Sequence, residues 1–193
     1  MLTVITPAQF KKIPWKNGKG TTTELAISEN STLDDFSWRL SIASVVTNGA
    51  FSDFSGYWRN LVLISGEGIT LQHTLNNETH TDNLTELLQV SSFDGASKTR
   101  GELVGGSIND FNVMTNTKNY KAEVSTYTNK EQIKVKACDH CFVYSLSNEV
   151  TLFNSRQEIQ ILPSEHLLKI TAPTVDNFSV TGEMMIVVYL FEN

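Results

Sequence analysis

An arginine set inside an alternating strand is the first feature of this chain that implies a ligand. Over residues 36–43, Phe36, Trp38, Leu40 and Ile42 fall on one face of an extended backbone, and Ser37, Arg39, Ser41 and Ala43 on the other. On an outer surface the second face is an ordinary solvated one; inside a barrel it lines a cavity with a fixed positive charge, and a buried cation calls for an anion. A glycine-flexed turn precedes it, Pro14-Trp15-Lys16-Asn17-Gly18-Lys19-Gly20, concentrating an aromatic ring, cations and an amide. Arg59 opens a later apolar run after Phe51 and Trp58, where it either completes an anion site with Arg39 or stacks on Trp58 or Phe54 at the surface. Asp110, Asn112 and Met114 share a strand face on which an inward amide and acid need partners: a ligand, or an arginine paired with Asp110 as structural counter-ion.

Other chemistries fail on spacing. Gly18-Lys19-Gly20-Thr21 lacks the spacing of a phosphate-binding loop and the strand-loop-helix context for one. The four histidines, His73, His80, His140 and His166, include no His-x-His pair, so a metal centre of that kind is not expected, and surface exposure is the reading for His73 and His80. Gly-x-Ser-x-Gly is absent, and neither cysteine has an activating partner. Cys138 and Cys141 lack both a second ligand pair and a helix N-terminus, which argues against zinc binding and redox work. No catalytic residue, metal or cofactor is assigned.

Composition sets the boundaries. With 193 residues, 40% of them hydrophobic, the chain can bury a core without disulfides. Its net charge of -6 is spread along the sequence, and no basic stripe suits it to nucleic acid. The longest apolar run, residues 184–191, is too short to span a membrane, and residues 1–10 carry no secretory signal, so a cytoplasmic location is expected.

Short runs rich in β-branched and aromatic residues recur between Gly, Asn, Asp and Ser clusters, at 25–28, 38–45, 60–64, 68–73, 86–90, 111–114, 121–127, 132–136, 141–146, 150–154, 166–170 and 184–191. This pattern predicts an antiparallel all-β barrel or sandwich, with one short helix at 6–12 capped by Thr6 and started by Pro7. Residues 61–71 align without a gap on 142–152, and 86–90 resemble 166–170, as a duplicated β unit would.

The motifs Pro14-Trp15-Lys16-Asn17-Gly18, Gly20-Thr21-Thr22, Trp38 to Ala43, Gly49-Ala50-Phe51-Ser52, Arg59 with the run 61–66, Phe93-Asp94-Gly95 and Asp110 to Met114 together resemble the HutD/Ves family, most densely in the first 115 residues. Lys19 stands where that family often has glycine. The resemblance implies a cupin-like double barrel (a bicupin of RmlC-like jelly rolls), here divided as 1–118, with the ligand pocket, and 119–193, mainly structural, the two packed as one compact unit. It also implies a non-catalytic regulator of histidine utilisation that senses a pathway intermediate such as urocanate or formylglutamate; Ves members are linked to stress responses. The expected partner is a small anionic metabolite, and a homodimer is allowed. Arg39 would pair with the ligand carboxylate. Arg59 and Lys16 would add charge, Asn17, Ser41 and Asn112 orientation, and Trp15 and Phe51 a cover. A metal-independent enzyme using Asp110 or Glu24 as base, and a protein-interaction module, are the alternatives.

Overall fold

The computed structural model describes residues 1–15, 20–155, 157–173 and 178–193. Two units share the contacts, one spanning Lys11–Tyr120 and the other Met1–Phe10 together with Lys121–Asn193. The expected first unit included residues 1–10. Those residues belong with the second because β1 (Leu2–Ile5) pairs antiparallel with β17 (Leu167–Thr171).

The Lys11–Tyr120 unit is built of two sheets. Six strands run in the order β2 (Lys11–Pro14), β3 (Gly20–Ile27), β4 (Trp38–Val45), β11 (Ile108–Asn116), β6 (Tyr57–Ser65) and β9 (Val90–Asp94); four more run β5 (Gly49–Ala50), β10 (Lys98–Leu103), β7 (Ile69–Leu75) and β8 (Glu78–Leu84). Alternation puts Leu61, Leu63, Ile69, Leu71 and Phe93 into one cluster, where each fully buried side chain contributes about 1.5–3 kcal/mol.

The remaining unit repeats this plan. Its sheets run β1, β17, β14 (His140–Ser145), β19 (Met185–Glu192), β12 (Tyr120–Tyr127), and β13 (Glu131–Lys134), β18 (Phe178–Gly182), β15 (Val150–Asn154), β16 (Gln157–Leu162). The order β4-β11-β6-β9 thus recurs as β12-β19-β14-β17, and β5-β10-β7-β8 as β13-β18-β15-β16. The gapless alignment needs correcting, however. The turn after β6 covers 66–68 and that after β14 covers 146–149, one residue longer. Cys141 and Val143, not Phe142 and Tyr144, therefore occupy the core positions of Leu61 and Leu63, since a one-residue slip exchanges the faces of a strand.

Two further expectations change. The helix at 6–12 is a 3-10 turn, Pro7–Gln9, in which Gln9 Oε1 accepts from the Thr6 amide at 2.9 Å; Lys11 already begins β2. Residues 86–90 do not form a strand. Gln89 Oε1 takes the Thr85 and Glu86 amides at 2.7 and 3.1 Å, and Leu88, at φ 70°, is buried as a plug beside Leu63, to whose carbonyl its amide donates at 2.8 Å. The strand follows at Val90–Asp94. Among the described residues, no helix is long and apolar enough to cross a membrane.

Gly95 closes the end of the β6–β9 pair: a Cβ there would sit 2.2 Å from the Phe54 carbonyl oxygen, whereas one on Gly49 would meet nothing within 4 Å. Gly95→Ala is expected to destabilise by about 1–3 kcal/mol, lowering Tm by about 2–4 °C per kcal/mol. Gly49→Ala should leave Tm nearly unchanged in the same calorimetric scan.

Candidate functional site

Strand pairing brings the predicted residues to one face. Asn112 lies opposite Ser41 on one side and Leu61 on the other, and Met114 opposite Arg39 and Arg59. Since paired residues share a face, Arg39, Ser41, Arg59, Asp110 and Asn112 all line the inner surface on which Leu61, Leu63 and Phe93 form the core.

Arg39 is buried, as expected, and its charge meets a protein carboxylate: Nε donates to Glu24 Oε2 at 3.0 Å. An irregularity in β3 between Glu24 and Ala26 leaves Glu24 opposite Ser41, one register step from Arg39. The exposed Lys11 ammonium lies 3.9 Å from the other Glu24 oxygen. The alternative of an Arg39–Asp110 pair is therefore replaced by Arg39–Glu24.

Arg59 is the arginine beside Asp110. Its guanidinium lies over the rings of Phe51, Phe54 and Phe93 at 5.4, 5.4 and 5.0 Å from the centroids, an arrangement worth most when desolvated. Nη2 donates to Asn112 Oδ1 at 3.4 Å, and Asn112 Nδ2 donates to Asp110 Oδ1. Among the described residues, Arg59 Nε and Asp110 Oδ2 have no hydrogen-bond partner. Burial pushes the Asp110 carboxyl up to about 7, against the opposing pull of Asn112 and Arg59, and burial lowers the Arg59 guanidinium to about 10.

The other predicted residues are placed as follows. Phe51 covers Arg59, and Ser41 is buried beside Asn112. Trp15 packs against the inner cluster and donates from Nε1 to Thr22 Oγ1 at 2.8 Å. Lys16 and Asn17 lie outside the described residues.

One group was missed. His73 is buried at 2% exposure, contrary to the surface reading. Its ring packs on Phe93 at 4.2 Å and on His80 at 4.7 Å, and Asp82 joins the two histidines within ligand distance of both. A pocket of about 420 Å³ opens here, lined by His73, His80, Trp58, Phe93 and Asp94 among others. The signal was present in Asn76-Asn77: a two-residue turn there makes 73 and 80 cross-strand partners, as they are.

The second unit lacks these groups. Following the pairing of Leu61 with Asn112 and Ser91, and of Cys141 with Tyr189 and Ile170, the positions of Asn112, Asp110 and Ser91 are held there by Tyr189, Val187 and Ile170. At these positions an ionisable carboxyl and an amide occur in the Lys11–Tyr120 barrel, and the second unit offers only the Tyr189 hydroxyl.

Two jelly rolls of like topology, one with charge gathered on its inner face, define a double-barrel protein of the cupin type. The Cupin 2 conserved barrel domain protein of Leptotrichia buccalis shares this fold at TM-score 0.54 and 10% identity, over 98% of this chain and 100% of its own. More particularly, the chain belongs to the HutD family, whose profile matches residues 7–188. HutD of Pseudomonas fluorescens SBW25, solved in a formate condition, superposes at TM-score 0.81 with 28% identity over 100% of both chains. A Pseudomonas putida protein described as an uncharacterized 21.2 kDa protein in the hutC 3' region is 29% identical over 160 residues, 83% of this chain and 77% of that one. Protein Ves of Escherichia fergusonii is 38% identical over 119 residues, 60% of each chain. Family membership associates the chain with the histidine-utilisation region.

Asp110 makes the fold pH-dependent. Its proton is held more tightly in the folded state, at about 7, than at the ordinary 3.8, so its contribution is full below about pH 4 and is lost as pH rises through 7. His73, pushed below 6.5 by burial, opposes this, its contribution being lost as pH falls. Asp110→Asn isolates the first effect: in urea melts, the variant should gain stability relative to wild type on going from pH 5 to pH 8. Parallel wild-type and variant profiles would contradict the assignment.

Proposed function

We propose that the Lys11–Tyr120 barrel binds a small carboxylate metabolite without transforming it, as a regulator of histidine utilisation in the cytoplasm. The observation that supports this reading is the Arg59 guanidinium, buried under three aromatic rings, with Nε lacking a partner among the described residues and its neighbouring carboxyl pushed up to about 7. A buried cation whose charge is incompletely offset favours an anion, and a guanidinium fork suits a carboxylate. Arg59 takes the anchoring role first expected of Arg39, whose Nε is engaged by Glu24. Asn112 and Ser41 orient the ligand, Phe51 and Trp15 cover it, and Arg39, Lys16 and Asn17 add charge and polar contacts. Urocanate and formylglutamate are the candidate ligands through the family association, and the second barrel contributes stability, with a homodimer as an assembly open to it.

A second reading is favoured by Asp110 itself: a carboxyl near 7 with one free oxygen is suited to proton transfer. Turnover of a carboxylate by purified protein, lost in Asp110→Asn, would establish an enzyme instead.

The test is thermal denaturation at constant ionic strength with formate, urocanate or N-formylglutamate against chloride. A ligand at a hundredfold excess over Kd stabilises by about 2.7 kcal/mol, so Tm should rise by several degrees. Arg59→Gln should abolish the rise, and Lys130→Ala, in an exposed turn, should preserve it. No carboxylate-specific shift in wild type, or a shift that survives Arg59→Gln, would overturn the proposal.

A further inference from the structure

The His73 hairpin carries a second arrangement that the carboxylate reading does not use. Asn76 and Asn77 have φ of 51° and 67°, the left-handed pair demanded by a tight two-residue turn. That turn sets His73 opposite His80 and Leu71 opposite Asp82, so both histidines and the aspartate lie on one face of β7 and β8. His73 Nε2 is 3.6 Å from Asp82 Oδ2 and His80 Nε2 3.7 Å from Asp82 Oδ1, and one donor atom from each residue falls within 4.8 Å of the others. An ion bonded at about 2.0–2.2 Å to each of two donors bridges a gap of up to about 4.4 Å, which covers both histidine–aspartate separations, the two histidines facing different oxygens of the Asp82 carboxylate.

Hydroxyl groups flank both ring nitrogens of His73. Thr99 Oγ1 lies 2.9 Å from His73 Nδ1 and 3.3 Å from the Ser97 carbonyl oxygen, so the hydroxyl holds one ring nitrogen in place. The other ring nitrogen, Nε2, is thereby turned toward Asp82. There the Ser91 hydroxyl lies 3.2 Å from Nε2 and donates to Asp82 Oδ2 at 2.5 Å, tying the histidine and the carboxylate together.

We propose that His73, His80 and Asp82 bind one divalent first-row transition-metal ion, of the zinc or nickel class, at the mouth of the roughly 420 Å³ pocket. Two imidazoles and one carboxylate suit such ions, and Thr99 orients His73 as outer partners orient metal-bound histidines. The His80 side chain, 58% exposed, is free to adjust as the ion enters. Three donors leave further coordination positions open toward the pocket, where water or a small metabolite would be held. This inference stands independently of the carboxylate reading, because none of its ligands is Arg59, Asp110 or Asn112.

The experiment is calorimetric titration of untagged, chelator-stripped protein with ZnCl2 and NiCl2, with the absorption spectrum of added Co2+ as a second readout. Wild type should bind one ion per chain, with Co2+ d–d bands of an ordered nitrogen and oxygen site. His80→Ala and Asp82→Asn should each weaken binding at least about tenfold and abolish those bands. Thr99→Val should weaken it by about tenfold or more. His80 is exposed, so its variant retains the fold and reports on the ion alone. Absence of saturable binding to wild type would overturn the proposal, as would His80→Ala and Asp82→Asn both keeping affinity within twofold of wild type.

Discussion

Desolvation of the Arg59 and Asp110 side chains is the constraint around which the first barrel is organised. A strand face with apolar residues at Leu61 and Leu63 would close as a simple hydrophobic core; carrying Arg59, Asp110 and Asn112 on the same face obliges the barrel to supply partners. It does so incompletely. Aromatic rings surround the guanidinium, one amide bridges the two charges, and the carboxyl surrenders part of its charge by holding a proton near neutrality. The face is polarised without being neutralised, a condition that suits recognition better than stability.

Duplication shows what that condition costs. The second barrel has the same strand order with Val187 and Tyr189 at the positions of Asp110 and Asn112, and its core cluster is hydrophobic, with the Tyr189 hydroxyl as a buried polar atom. Among the described residues, this second unit closes without buried charge, so the charges of the first barrel are additions to the architecture.

Much of the architecture could be read from the chain because two-residue periodicity survives where one sheet face is buried. Trp38–Val45 and Val150–Asn154 were located to the residue. Strands with little apolar content, such as Glu78–Leu84, Lys98–Leu103 and Gln157–Leu162, left no such mark. Run 86–90 misled for the opposite reason, since Leu88 is buried as a plug rather than as part of a ladder. At the site, the polar alternation of 37–43 and 110–114 identified which residues share the inner face. It could not reveal which arginine meets which carboxylate, because the Glu24 partnership depends on an irregularity in β3. The histidine cluster was hidden because its members are seven and nine residues apart, and only the turn at Asn76 and Asn77 folds that spacing into contact.

Divergence between the halves also bears on how the chain avoids folding wrongly. Tandem units of one topology invite a strand of one to enter the sheet of the other, the characteristic misassembly of repeat proteins. A β11 strand taken into the second barrel in the place of β19 would set Asp110 where Val187 sits, among Val143, Leu168 and Tyr189. The exchanged form would bury a carboxyl with none of the amide and guanidinium neighbours it has at home. The polar residues of the inner face thus also mark each strand as belonging to its own barrel.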